Sequence, residues 1–114
     1  MKKFAVIKVD GSMEFHDVAP EKEYDFLSGA VGGWIQSVYL RKELEGFDLY
    51  CNEEGKLSGL PVNWTATYIW ELSYGKTDVL VGDVVLTGGA DDEGETLGLS
   101  QEQMDKLTGL LALA

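Results

Sequence analysis

Between Cys51 and Thr65 the chain reads Cys-Asn-Glu-Glu-Gly-Lys-Leu-Ser-Gly-Leu-Pro-Val-Asn-Trp-Thr. No other block constrains the fold as tightly. A strand must end near Cys51, and Asn52 to Gly55 supplies a tight turn. A short extended segment follows, and Asn63 then stands where a helix needs an acceptor for a first-turn amide. As a cap alone, Asn63→Ala would cost about 1 kcal/mol and Asn63→Asp much less. A strand and a helix joined this closely belong to a fold that mixes both.

The flanking segments fit that frame. In residues 3–9 both alternate faces are mostly apolar (Phe4 and Val6 on one, Ala5, Ile7 and Val9 on the other), the pattern of a central strand. Asp10-Gly11 is a hairpin signal, and residues 13–18 alternate as an edge or half-buried strand should. Pro20 with Glu21 and Glu23 opens a helix. Its stripe is Tyr24, Leu27 and Val31, and Gly32-Gly33 ends it. Strands are expected over 34–40 and 47–51, a helix over 64–74 stopped at Gly75, and a strand over 79–86 broken at Gly82-Asp83. Residues 88–98 read as a flexible acidic loop. Ser100 with Gln103 forms a capping box for a last helix, on which Met104, Leu107 and Leu111 share a face. The expected fold is a single α+β domain: a mixed or antiparallel sheet with about three helices packed on one of its faces.

A chain of 114 residues is one domain by size and can bury a core without disulfides or metals. No apolar run approaches a membrane span, and Phe4 to Ile7 is too short and too soon interrupted for a signal peptide. The single Cys51 cannot pair within the chain and suits a reducing cytoplasm. Net charge is −11. Nine cationic side chains are too few for a phosphate-tracking groove, so direct nucleic-acid binding is not expected.

Sites of chemistry are sparse. Trp34, Asn63, Trp64, Thr67 and Trp70, with Arg41 as a cation, could hold a flat or anionic ligand beside a helix start. The plainer reading makes Trp34 and Trp70 core and Asn63 only a cap. His16, the one histidine, has Asp17 on the opposite strand face and reads as a surface residue. Cys51 reads as a buried, inert thiol. Asp91, Glu93, Glu95 and Glu102 match calcium-loop positions one, three, five and twelve, but Thr96 stands where the sharp turn needs glycine. No metal and no cofactor are expected.

Val31-Gly32-Gly33-Trp34-Ile35, Cys51 to Leu57, Gly59 to Asn63, the strand of Val79 to Leu86 and Leu99 to Gln103 occur in this order. Together they resemble the family called domain of unknown function 3846, over about residues 3–107. The resemblance implies an accessory protein of phages, plasmids or bacterial mobile elements, acting in the cytoplasm of the host cell. It implies no reaction. Trp64 departs from the smaller or polar residues associated with that place.

The expected role is therefore binding, not catalysis. The first reading is a host protein held by an acidic surface that imitates DNA. Glu43, Glu45, Glu53, Glu54, Asp91, Asp92, Glu93 and Glu95 would form one stripe, and counter-defence would be its purpose. The alternative is capture of a nucleotide signal in a pocket near Trp34 and Asn63. Neither reading excludes a homodimer.

Overall fold

Two β-hairpins and one late strand build the sheet. The computed structural model describes residues 1–113. β1 (Lys2–Ile7) and β2 (Met13–Val18) form the first hairpin, and β3 (Ile35–Tyr39) and β4 (Asp48–Asn52) the second. Neither hairpin touches the other through its own ladder. β5 (Val84–Thr87) pairs with β1 on one side and β4 on the other, giving the order β2-β1-β5-β4-β3 with every pair antiparallel. All four β5 residues are buried, as a strand flanked on both edges and covered on both faces must be.

The helices lie on both faces, not on one. α1 (Glu23–Val31) places Leu27 and Val31 against Phe4, Val6, Val18 and Val85. The opposite face carries Ala5, Ile7, Leu49, Cys51, Val84 and Leu86, covered by α2 (Trp64–Tyr74) and α3 (Gln101–Leu111). The cause is in β1 and β5: Phe4-Ala5-Val6-Ile7 and Val84-Val85-Leu86 are apolar at every position, so each sheet face needs a cover. One helix on the first face and two on the second satisfy the same alternation that marked β1 as central.

Local chemistry sets the boundaries. Gly32 closes α1 in the left-handed conformation, with φ of 80°. The Ser100 hydroxyl accepts from the Gln103 amide while the Gln103 side chain accepts from the Ser100 amide, the complete capping box. The segment expected as one strand over 79–86 is divided at Gly82, where φ reaches 73°. Val81 makes only an isolated bridge to Val62 before that turn. Asp83 then accepts from the Val9 amide at 2.9 Å and ties the turn to the end of β1.

Asn63 does more than cap. Its Oδ1 accepts from Ala66 N at 2.9 Å, and its Nδ2 donates to Ile7 O at 3.0 Å and Gly82 O at 2.9 Å. The residue is fully buried. Thr67, one turn on, donates to Asn63 O and accepts from Leu80 N at 2.9 Å. The expectation that Asp would replace Asn63 cheaply fails on this geometry, since a carboxylate cannot donate to two carbonyls.

Gly29 and Gly109 sit inside α1 and α3, and an added Cβ at either meets nothing within 4 Å. Gly29→Ala and Gly109→Ala are each expected to raise stability by roughly 0.5–1 kcal/mol, because alanine loses less backbone freedom on folding. Chemical denaturation would register this as a higher midpoint at unchanged slope.

Candidate functional site

The residues expected to form a ligand pocket do not line one together. Asn63 and Thr67 are buried, and their polar atoms are committed to the backbone. Trp34, expected as core in the plainer reading, is exposed, as is Trp64 at the first position of α2. Trp34 precedes β3 and Arg41 follows it, so the strand separates them. The Arg41 backbone is pinned to α2 by hydrogen bonds to and from Ser73 Oγ, and its guanidinium lies 5.7 Å from the centre of the Tyr74 ring. Trp70 stacks on Tyr74 with ring centres 4.5 Å apart. That trio stabilises the end of α2.

The expected acidic stripe is divided as well. β4 runs from Asp48 to Asn52. Glu43 and Glu45 precede it while Glu53 and Glu54 follow it, so the two pairs leave the sheet at opposite ends. The acidic loop joins only the first pair. It is crossed by backbone hydrogen bonds: Gly88 N donates to Leu97 O, Leu97 N to Gly89 O and Asp91 N to Glu95 O. The Asp91 carboxylate accepts from the amides of Glu93 and Glu95, each at 2.9 Å. An added Cβ on Gly89 would lie 2.7 Å from Gly46 O, so the loop packs directly on the turn before β4.

Where those two segments meet, a notch of about 510 Å³ opens at the end of the sheet. Its acidic lining is Glu45, Asp48, Asp91 and Asp92, and its aromatic wall is Tyr39. None of these four carboxylates has an ion-pair partner among the described residues. Glu95, at the loop's far side, pairs with Lys2 at 3.0 Å. Elsewhere Lys3 holds Asp17, Lys8 and His16 hold Glu14, and Lys56 holds Asp78.

Asp48 is the least expected member. It is only 7% exposed, yet its carboxylate has no hydrogen-bond or ion-pair partner among the described residues. Burial alone pushes its pKa above the ordinary carboxylate value. Its cross-strand neighbours are Tyr39 on β3 and Thr87 on β5, so all three share a sheet face. Thr87 Oγ1 is buried and also without a partner. Alternation could have flagged Asp48: with Leu49 and Cys51 facing one way, Asp48 must face α1 with Tyr50.

The sign of the Asp48 effect follows from its raised pKa. In the folded state it holds its proton to a higher pH than in the unfolded chain, so stability falls as pH rises through that window. Asp48→Asn is therefore expected to raise Tm at pH 7, and the gain should vanish as pH drops below the unfolded value. Thermal melts of the two proteins across that range read the difference. A lower Tm for the variant at every pH would reverse the assignment.

Two other clusters are weaker. On the α2 face a cleft of about 180 Å³ is lined by Cys51, Asn52, Trp70, Leu80 and the Lys56–Asp78 pair. Burial raises the Cys51 thiol and the nearby Asp78 charge adds to it, which suits an inert thiol. Lys56 in turn holds Asp78 below the usual carboxylate range. On β2, His16 Nε2 lies 3.0 Å from Glu14 Oε1. The two stand two residues apart on one strand face, so the carboxylate His16 meets is Glu14 and not Asp17. Both are substantially exposed, and the His16 ring packs 5.4 Å from Phe26.

No group of three or more His, Cys, Asp or Glu side chains converges on a metal position among the described residues. No helix there is long and apolar enough to cross a membrane.

The architecture and the acidic notch define a small α+β protein with an antiparallel five-stranded sheet and polar surface recesses. The family model described as "Domain of unknown function (DUF3846)" matches residues 1–112, nearly the whole chain, and the protein belongs to that family. No curated protein and no solved structure matches it.

Proposed function

We propose that this protein works by binding rather than by catalysis, and that its acidic end engages a basic protein. One observation carries the reading: segments 45–48 and 88–94 meet at one end of the sheet and gather unpaired carboxylates around a notch. Such a surface attracts cationic partners and speeds their association, an effect that salt weakens. In the phage or mobile-element setting that the family resemblance suggests, the partner is a host protein of the bacterial cytoplasm. Occupying its DNA-binding surface would serve counter-defence.

The test is capture from host lysate by immobilised protein at low and high salt, with DNA added as a competitor. Proteins held at low salt, released by salt and displaced by DNA support the reading. The same captures at both salt levels, or none, would overturn it. Charge-altered variants should spare Asp91, whose side chain holds two loop amides, and Glu95, which pairs with Lys2.

The cleft beside Cys51 supports a second reading, capture of a small molecule, in place of the pocket expected near Trp34 and Asn63. Its Trp70 wall offers stacking area, but its one cation, Lys56, is already paired with Asp78. A neutral planar ligand suits it better than a phosphate. Titration with nucleosides and nucleotides, followed by Trp fluorescence, tests this: nucleosides should quench and the phosphorylated forms should gain nothing.

A further inference from the structure

We infer that the notch at the end of the sheet is a socket for a single arginine side chain of the basic partner, with Asp48 as its floor. The inference rests on the acidic-end reading and names the chemistry that the end would recognise.

The acidic lining alone would not carry this. Asp48 adds an independent observation: the residue is 7% exposed, and its desolvated carboxylate, without a partner among the described residues, lacks the counter-group that burial normally requires. The hydroxyl of its neighbour Thr87 is fully buried and has no partner among the described residues. A ligand carrying N–H donors and positive charge supplies what Asp48 lacks. Tyr39, 75% exposed and directly across the strand pair from Asp48, stands beside it on the same face. A flat cation seated on Asp48 would stack on that ring.

The cation's shape follows from the spacing. No three carboxylates converge closely enough for a metal ion among the described residues. Glu45, Asp91 and Asp92 stand around the rim from two different loops. A guanidinium has five donors in one plane and reaches separated acceptors, which a compact ammonium or a divalent ion does not. It would place a two-pronged contact on Asp48, its face on Tyr39 and its remaining donors toward the rim.

The experiment is an NMR titration of the protein with the blocked tripeptide Gly-Arg-Gly, with its citrulline counterpart, with spermidine and with calcium chloride. Wild type is compared with Asp48→Asn, Tyr39→Ala and the distant pair Glu53→Gln/Glu54→Gln. The arginine peptide should shift the amides of residues 39, 48 and 88–92, and the citrulline peptide should not. Asp48→Asn should weaken binding roughly tenfold or more, the loss expected for a hydrogen bond to a charged group. Tyr39→Ala should weaken it less, and the Glu53/Glu54 variant should bind as wild type does. Equal binding by Asp48→Asn, or a response to calcium or spermidine stronger than to the arginine peptide, would overturn the socket. Failure here with salt-sensitive, DNA-displaced lysate capture intact would reject the socket alone. Loss of that capture would reject the acidic-end reading itself.

Discussion

Asn63→Ala and Asn63→Asp are both expected to destabilise the fold by about 3–7 kcal/mol, with no rescue by the acid. In Asn63→Ala the lost cap contributes roughly 1 kcal/mol of this. The rest comes from Ile7 O and Gly82 O, buried carbonyls that would each lose the Asn63 amide at a cost of about 1–3 kcal/mol. Asp retains the acceptor for Ala66 N but faces its carboxylate toward both carbonyls in a fully buried site. Small domains are stable by only about 5–15 kcal/mol, so either change removes a large share. Urea denaturation at pH 7 measures it, and Asn63→Ser, which keeps a capping acceptor, isolates the carbonyl contribution. A loss under 1 kcal/mol for Asn63→Asp would mean the amide group does not bridge β1, α2 and the Gly82 turn.

That residue illustrates what the sequence discloses. Asn after Pro61-Val62 and before an aromatic run announces a helix start, and α2 begins one residue later. The two carbonyls it also binds come from residues 56 positions before and 19 positions after it. No local pattern encodes such contacts. The same division holds elsewhere. Ser100 and Gln103 form a local device and read correctly, as do the hairpin at Gly11 and the stop at Gly32. The position of β5 between β1 and β4 is a long-range outcome. Only the apolar character of both its faces hinted at it. The acids illustrate the limit for function: composition gives their number, but only the sheet decides that Glu45 and Asp91 meet while Glu53 lies at the other end.

Gly88→Ala is expected to cost about 3 kcal/mol, the upper range for forced overpacking. An added Cβ would fall against the carbonyl oxygen of Gly98, which is backbone and cannot swing aside. The two glycines lie where the acidic loop returns past the start of β1: Gly88 N donates to Leu97 O, and Leu99 N to Lys3 O, each at 2.8 Å. Gly98 is equally confined, its own Cβ position lying 2.8 Å from Lys3 N. The loss should be accompanied by a displaced loop, read as amide shifts across residues 88–99. Gly94→Ala has open space around it and only the strain of φ 80° to bear, so it should cost about 1–2 kcal/mol and leave that crossing in place. Equal costs at Gly88 and Gly94 would argue against the close crossing.

In the proposed function, position and not total charge makes the acidic end a binding surface. Two double variants remove the same charge from opposite ends of β4: Glu45→Gln with Asp92→Asn at the notch, and Glu53→Gln with Glu54→Gln at the far end. The measurement is the set of host proteins each captures at low salt beside wild type, with the fold of each checked by its melt. Loss of the DNA-displaceable proteins from the notch variant, with their retention by the far-end variant, is the predicted result. Equal loss from both, or retention by both, would contradict it.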